Sequence, residues 1–387
     1  MDSCTSSCRC DSGRGAHRRV HITSLELRDY RNYTQWALEP ERALTVLVGP
    51  NASGKTNVVE AIQTVTTGTS FRSPQWSEVV RWGTTEARIA MSARGGRTHT
   101  NTELTVEAAG TRIWKVNGVR KRRVADATRL VPAVVFTPDD LLLVKGSAEQ
   151  RRASLDALGE QLSVTYGALR RDYTRVVRQR NALLKDAGDL AAISVWDEQL
   201  VRLGARLHVH RRRLANRVMQ AAAPVYGHLA AGETLGIRFC DRCGIENDDL
   251  AADVTRDEVE DALRAELTRR RDDELSRRVT LAGPHRDDIT FLVEGKDARL
   301  VASQGQQRTI ALAWKWAEVT VIQDVLRRTP VLLLDDVMSE LDEARRHALT
   351  DLVQRDVQTF ITTTNTGYFD GALLRAARVV EIGEGGL

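Results

Sequence analysis

Two short stretches carry the chemistry of this chain. The first is Gly49-Pro50-Asn51-Ala52-Ser53-Gly54-Lys55-Thr56. Its spacing, G-x-x-x-x-G-K-[ST], suits a loop that wraps a phosphate. Gly49 and Gly54 let backbone N–H groups curl inward, and the start of a following helix adds partial positive charge. Lys55 would reach the outer phosphates of a nucleoside triphosphate, and the Thr56 hydroxyl would hold Mg²⁺. The second stretch is Val331-Leu332-Leu333-Leu334-Asp335-Asp336, an apolar run ending in two carboxylates. Asp335 is suited to hold Mg²⁺, directly or at one remove, and Asp336 to orient an attacking water. Four aliphatics before Asp-Asp say little alone, but paired with the loop they point to nucleotide hydrolysis.

Regular elements must position these groups. Leu44 to Val48 reads as a buried strand entering the loop, and Val58, Val59, Ile62 and Val65 have helical spacing after it. Asn57 opens that helix and joins the expected nucleotide contacts. Ser303-Gln304-Gly305-Gln306-Gln307 opens a long helix through Ala311, Ala313 and Val319. A serine-glycine turn at a helix N-terminus is an anion site. Lys55 already serves that role within the chain, so this second grip makes sense if it closes over the nucleotide of another chain. Ser339-Glu340-Leu341-Asp342 follows Asp335 closely, and Thr362-Thr363-Thr364 ends a strand running from Thr359.

The chain has 387 residues and a net charge of +4, so it can bury a sizeable core in two domains and accept, without requiring, a nucleic-acid partner. No apolar run approaches the ~18 residues of a membrane helix. The N-terminus lacks the apolar core of a signal peptide, and five cysteines in a chain this long make no disulfide framework, so a reducing cytosol fits. Residues 1–19 hold Cys4, Cys8, Cys10 and His17 in polar, glycine- and serine-rich sequence. A disordered tail is the favoured reading. The alternatives are a metal tract lacking a dependable fourth ligand, or translation that starts at Val20.

From His21 the texture is strand-like through Ile22, Leu25 and Leu27, with a second strand from Trp36 to Leu38. Alternation continues at 87–91, 104–106, 113–116 and 131–136, and Asn117-Gly118 predicts a hairpin turn. The run Arg120-Lys121-Arg122-Arg123 beside it either grips a phosphate backbone or guards a sheet edge. Arg72, soon after the phosphate loop, either touches phosphate or DNA or lies on the surface. Ser147 to Gln150 forms a capping box, and helical texture runs to about Leu229 with breaks near Gly188 and Ile193. Its arginines (Arg170, Arg171, Arg175, Arg178, Arg180, then Arg211, Arg212, Arg213 and Arg217) read mostly as a wet face, a minority being available to DNA. Strand texture covers 235–243 and helix 257–277. Cys240-Asp241-Arg242-Cys243 could share zinc between two chains, as a C-x₂-C at the tip of a paired coil does, but no second pair and no long heptad coil accompany it, so metal binding is disfavoured.

These motifs resemble the ABC-type ATPase heads and, more closely, the RecF family. The likeness runs from about Val20 to the C-terminus. Its specific marks are Leu27-Arg28-Asp29-Tyr30-Arg31-Asn32-Tyr33, Gly283-Pro284-His285-Arg286-Asp287-Asp288, Ser303 to Arg308 and Leu334-Asp335-Asp336. A transporter head would carry Glu at 336 and a switch His near 363, where this chain has Asp and Thr. An SMC protein would insert a far longer coil. The resemblance implies an α/β fold: an ABC-type P-loop head with a mixed sheet, formed by 20–145 and 283–387, plus a smaller, mainly helical arm at 146–282. It also implies an ATP-dependent homodimer with two ATP molecules and Mg²⁺ at the interface. Lys55 and its loop would come from one chain, and Ser303, Gln304, Gly305 and Gln306 from the other. Family function implies binding of duplex DNA near single-strand gaps, action with RecO and RecR in loading RecA, a place in repair, replication and the SOS response, and weak DNA-stimulated ATPase activity. Trp314 and Trp316 stand where the family has aliphatics, so this helix should pack differently. Two other readings stand beside this one: an ABC-type switch on a protein complex without DNA, and a binding scaffold with negligible hydrolysis. Asp287 and Asp288 as nuclease ligands lack the further groups of a two-metal site. Their expected role is structural, with His285 and Arg286 near the nucleotide interface.

Overall fold

The computed structural model describes residues 18–41, 43–72, 75–96, 98–186, 190–230, 232–245, 250, 252–353 and 357–383. Cys4, Cys8, Cys10 and His17 lie outside the described residues. Among the described residues, pairing already includes Arg18 and Arg19, ahead of Val20, which pair in parallel with Arg328 and Thr329.

Strands β1 (Arg18–Tyr30) and β2 (Tyr33–Leu38) are antiparallel, and β3 (Leu44–Val48) leads through the phosphate loop to helix α1 (Lys55–Thr67). Next, β4 (Glu86–Gly95), β5 (Thr98–Glu107), β6 (Arg112–Val116) and β7 (Val119–Lys121) extend an antiparallel ladder from β1. Asn117 and Gly118 have φ of 49° and 78°, the left-handed pair that a tight hairpin turn requires. Helix α2 (Ala125–Thr128), β8 (Ala133–Phe136) and α3 (Leu142–Lys145) precede three long helices, α4 (Ala148–Leu162), α5 (Val164–Lys185) and α6 (Leu190–Leu229). Ser147 caps α4 through a reciprocal bond pair with Gln150. Of the expected break near Gly188 and Ile193, Gly188 lies outside the described residues, between α5 and α6, and Ile193 shows no break. Ile193 is fully buried inside α6, so tertiary packing holds a residue of modest helix propensity in the helix.

Strand β9 (Leu235–Cys240) stops short of Cys243. Asp241 Oδ1 accepts from the backbone N–H of Cys243, Gly244 and Ile245 at 2.9, 2.7 and 2.7 Å, which turns the chain. Helix texture at 257–277 resolves into α7 (Arg256–Arg269) and α8 (Arg271–Arg277). Then come β10 (Asp288–Val293), β11 (Lys296–Asp297), α9 (Ala298–Val301), α10 (Gln304–Leu326), β12 (Arg328–Thr329), β13 (Val331–Leu334), α11 (Glu343–Val353), β14 (Thr359–Thr363), α12 (Gly371–Ala376) and β15 (Arg378–Glu381).

The parallel sheet has the order β15-β3-β14-β13-β8. Its strands are apolar on both faces because helices cover both. Successive side chains alternate between two cores. Val331, Leu333, Phe360 and Leu47 join Val58, Val59 and Ile62 of α1, whereas Leu332, Leu334, Ile361 and Val46 join Ile310, Ala313 and Trp314 of α10. A third core lies among α5, α6 and α7, around Tyr166, Tyr173, Leu200, Val259 and Leu263.

Trp314 is 1% exposed. Its ring meets Phe291 edge-on at 5.3 Å, and Nε1 donates to Ser154 Oγ at 3.0 Å. The tryptophan is thus a core group with its one donor satisfied, and Trp316 packs at the edge of the same core. The helix arginines divide. Arg171, Arg175, Arg178, Arg213 and Arg217 are exposed, but Arg180, Arg211 and Arg212 are buried. Arg180 donates to Asp197 at 2.7 Å and Glu274 at 2.5 Å, and Arg211 grips both oxygens of Asp156 at 2.9 and 2.7 Å. These arginines bind the helices to one another and do not form part of the wet face.

Trp314→Ala removes a large buried side chain and takes one donor from Ser154 Oγ, which keeps its bond to Glu318 at 3.2 Å. Its expected cost is about 3–5 kcal/mol, measured by urea unfolding. A loss below about 1 kcal/mol would show that the core closes over the gap.

Candidate nucleotide site

The loop geometry follows from its glycines. Ala52 and Gly54 have φ of 64° and 112°. Left-handed residues in such a loop aim successive N–H groups at one point, as an anion requires. A Cβ at Gly49 would lie 2.3 Å from the Ile382 carbonyl oxygen. One at Gly54 would lie 2.7 Å from Asn32 Nδ2 and 2.8 Å from the Tyr33 hydroxyl. Pro50, Asn51 and Ala52 are exposed, and Ser53, Gly54 and Lys55 are buried beneath them. Lys55 Nζ donates to the carbonyls of Gly49 at 2.8 Å and Pro50 at 2.7 Å, so the ammonium stays over the loop. Burial lowers its pKa, while Asp336 and Asp335 oppose that shift. The lysine and both carboxylates therefore share one electrostatic field.

The strand ends bring the second stretch to the first. Thr56 Oγ1 donates to Asp335 Oδ1 at 2.9 Å, and Thr362 Oγ1 donates to the same oxygen at 2.8 Å. Burial raises the Asp335 pKa, which these two bonds and Arg72 moderate. Asp336 takes φ of 52°, an uncommon conformation for a non-glycine residue, and its N–H donates to Thr362 Oγ1 at 2.8 Å. Thr363, where a transporter head would place its histidine, is buried and accepts from Gly49 N through its carbonyl at 3.3 Å. A hydroxyl and a buried carboxylate form an oxygen donor set that suits Mg²⁺, and a cation would relieve the cost of the buried carboxylate.

The Leu27–Tyr33 segment proves to be the loop's support. Asp29 and Arg31 have φ of 48° and 52°, turning β1 into β2. Arg31 pairs with both oxygens of Glu60 on α1, at 2.6 and 2.9 Å, and Glu60 is fully buried. Asn32 donates to the Ser53 carbonyl at 3.2 Å and accepts from Asn57 at 2.7 Å. Asn57 also accepts from Arg72 at 2.5 Å, so Arg72 stands beside the phosphate loop and not on a remote surface. The roles of Asn32 and Glu60 were not read from the sequence. The available signal was a carboxylate inside the apolar run Val58-Val59-Glu60-Ala61-Ile62.

Ser303 caps α10. Its hydroxyl accepts from Gln306 N at 3.2 Å, and Gln306 Oε1 accepts from Ser303 N at 2.9 Å. Gln306 Nε2 donates to Glu233 at 3.0 Å. Ser303 and Gln304 are exposed, with Gly305 and Gln306 half-buried. Arg345 lies against Gly305, donates to Thr309 Oγ1 at 2.7 Å and pairs with Asp342. The 339–342 segment is thereby tied to the signature helix, a link the sequence does not display. Asp287 and Asp288 are committed elsewhere. Asp288 pairs with Arg151 at 2.8 and 2.9 Å, and Asp287 contacts His208 at 2.9 Å. His285 is half-buried against Tyr173, 2.7 Å from its hydroxyl, and Arg286 donates to the Thr280 carbonyl. The Arg120–Arg123 run lies on and after β7, at the end of the antiparallel sheet.

This combination of parallel sheet, phosphate loop, paired carboxylates and separately capped signature helix defines an ABC-type P-loop ATPase head. The chain belongs to the RecF family. The RecF/RecN/SMC N terminal domain model matches residues 21–383. The DNA replication and repair protein RecF of Symbiobacterium thermophilum is 42% identical over 350 residues, covering 89% of this chain and 92% of that protein. RecF of Bacillus subtilis (strain 168) is 34% identical over 374 residues, 95% of this chain and 100% of that protein. The solved recombination mediator protein RecF-ATPrS of the RecFOR pathway superposes with a TM-score of 0.86 at 27% identity, covering 96% and 98% of the two chains. An Smc head domain from Pyrococcus furiosus, at 16% identity over 95% of each chain and a TM-score of 0.55, shares the fold.

Glu60→Ala removes the buried carboxylate that pairs with the Arg31 guanidinium and leaves that group its bond to the Glu78 carbonyl at 2.7 Å. The expected loss is about 3–5 kcal/mol, with weaker nucleotide affinity although neither residue lies in the phosphate loop. Thermal melting and titration with a fluorescent nucleotide check both. If Arg31→Met and Glu60→Ala are additive in a double-mutant cycle, the pair does not support the loop.

Proposed function

We propose that the chain is an ATP-dependent DNA-binding protein of recombinational repair and replication restart, acting as a homodimer that closes on ATP. The observation that carries this reading is the division of the site. The phosphate loop contacts Asn32, Asp335, Thr363 and Ile382, whereas Ser303 to Gln306 contact Glu233 and Arg345. Each set is complete in itself, and each presents exposed residues at Pro50–Ala52 and Ser303–Gln304. Two copies related by a two-fold axis can pair unlike halves twice, which gives two equivalent nucleotide sites.

In this reading residues 20–145 and 283–387 form the head and 146–282 the arm. The α5–α7 core supports the division, while the β9–β10 pairing joins the two parts. Gly49 to Asn57 cradle ATP, Lys55 neutralises its outer phosphates, and Thr56 with Asp335 holds Mg²⁺, which supplies charge neutralisation. Asp336 positions water. Its carboxylate is one methylene shorter than the glutamate of a transporter head, so hydrolysis is slow and suits a timer that releases the closed dimer. Duplex DNA near a gap lies over the paired heads, and by family likeness RecO and RecR act with it in RecA loading. No helix among the described residues is long and apolar enough to cross a membrane.

The test is anisotropy of a gapped duplex with and without ATP at two salt concentrations. ATP should tighten binding, and affinity should fall at least about tenfold between roughly 50 and 200 mM salt. Binding indifferent to ATP would move the site's purpose to a protein complex. Lys55→Met should abolish nucleotide binding. Ser303→Arg should keep it in the monomer but block dimerisation. Asp336→Asn should trap the dimer on DNA. A Ser303→Arg chain that still dimerises with ATP removes the composite site.

A further inference from the structure

Outside the nucleotide site, four donor side chains of three different types converge in the interior: His208 of α6, Asp241 and Cys243 of the turn after β9, and Asp287 of the segment before β10. One donor atom from each lies within 4.8 Å of all the others. The imidazole is central. His208 Nδ1 lies 2.9 Å from Asp287 Oδ2 and 3.4 Å from Cys243 Sγ, and Nε2 lies 3.2 Å from Asp241 Oδ2. His208 and Cys243 are fully buried, Asp287 is 1% exposed and the Asp241 side chain 6%.

Two features separate this cluster from an ordinary buried polar network. First, its carboxylates are pre-oriented. The outer oxygen of Asp241 accepts from three backbone N–H groups, and Asp287 Oδ1 accepts from Arg242 N at 2.8 Å. Each carboxylate therefore has one oxygen fixed by the backbone and the other turned inward. Second, His208 Nε2 and Asp241 Oδ2 are buried polar atoms without a hydrogen-bond partner, though they face each other. Such atoms are costly unless something compensates them. Edge-on packing of the imidazole against Phe239 at 5.5 Å holds the ring in place.

We propose that His208, Asp241, Cys243 and Asp287 form a closed structural site for a divalent cation of the zinc class. Nitrogen, thiolate and two carboxylate oxygens suit Zn²⁺. The imidazole gives the ion one nitrogen, so Nδ1 with Asp287 and Cys243 supplies three corners of the tetrahedron, and Asp241, which now lies beside Nε2, turns its inner oxygen to supply the fourth. Binding displaces the Cys243 thiol proton to solvent and leaves the metal with four protein ligands and no open position. The ion staples α6 to the 241–245 turn and to the Gly283–Asp288 segment, where Gly283 N already donates to the Arg242 carbonyl at 2.8 Å. It is distinct from a C-x₂-C pair, because Cys240 faces Thr290 Oγ1 at 3.5 Å.

The test uses the full chain, expressed with zinc supplementation and purified without chelator. About one equivalent of zinc is expected by mass spectrometry. Cobalt exchange should produce a near-ultraviolet thiolate-to-cobalt charge-transfer band and visible bands of tetrahedral intensity. Cys243→Ser should abolish the charge-transfer band. Cys240→Ser, and a chain with Cys4→Ser, Cys8→Ser and Cys10→Ser together, should retain it. Should Cys243→Ser fail to fold, cobalt titration of the unaltered chain and of the two control variants still decides. Less than about 0.1 equivalent of zinc with no cobalt band would overturn the proposal and leave the His208 imidazole as a polar bridge between Asp241 and Asp287. So would a band that disappears with the tail cysteines or with Cys240.

Discussion

One carboxylate oxygen, Asp335 Oδ1, joins the parts that must act together. It accepts from Thr56 at the start of α1 and from Thr362 at the end of β14, while its own backbone N–H donates to the Phe136 carbonyl of β8. Three strand ends and a helix start are therefore held in register at one point. The register is possible because the five strands are parallel and all present their C-terminal ends on one side. Burial opposes a charged carboxylate there, and the two hydroxyl donors offset that cost. The result is a pre-formed acidic point that shares its field with Lys55.

Around that point the molecule separates rigidity from exposure. The β1–β2 turn reaches α1 through the buried Arg31–Glu60 pair and reaches the loop through Asn32, so a sheet remote from the chemistry fixes the loop backbone. The signature helix is anchored independently, by Arg345 on one side and Glu233 on the other. Its first residues stay exposed while its middle, around Trp314, is core. An element built in this way can present a fixed anion-binding end to another molecule.

Arginine serves two purposes in the helical region. Exposed residues such as Arg171 and Arg175 keep a basic face, whereas Arg180 and Arg211 act as internal cross-links between helices distant in sequence. Guanidinium suits the second role because its fixed fork satisfies two oxygens at once. Its hydrophilic character hides that role from any reading based on pattern alone.

The amino-acid sequence by itself determined the phosphate loop, the aspartate strand, the signature helix with its serine cap, the Asn117-Gly118 turn and the family to which the chain belongs. These signals are local: glycine spacing, strand and helix periodicity, and capping residues act over a few neighbours. Only the tertiary structure decided the rest. It placed Asp335 against Thr56 and Thr362, buried Glu60 beneath Arg31, carried α6 unbroken through Ile193, turned Trp314 into the core, and gathered His208, Asp241, Cys243 and Asp287. Each of these depends on contacts between residues far apart in the chain. Burial is set by the three-dimensional arrangement, so a charged or polar side chain reveals its partner only once the fold has removed it from water.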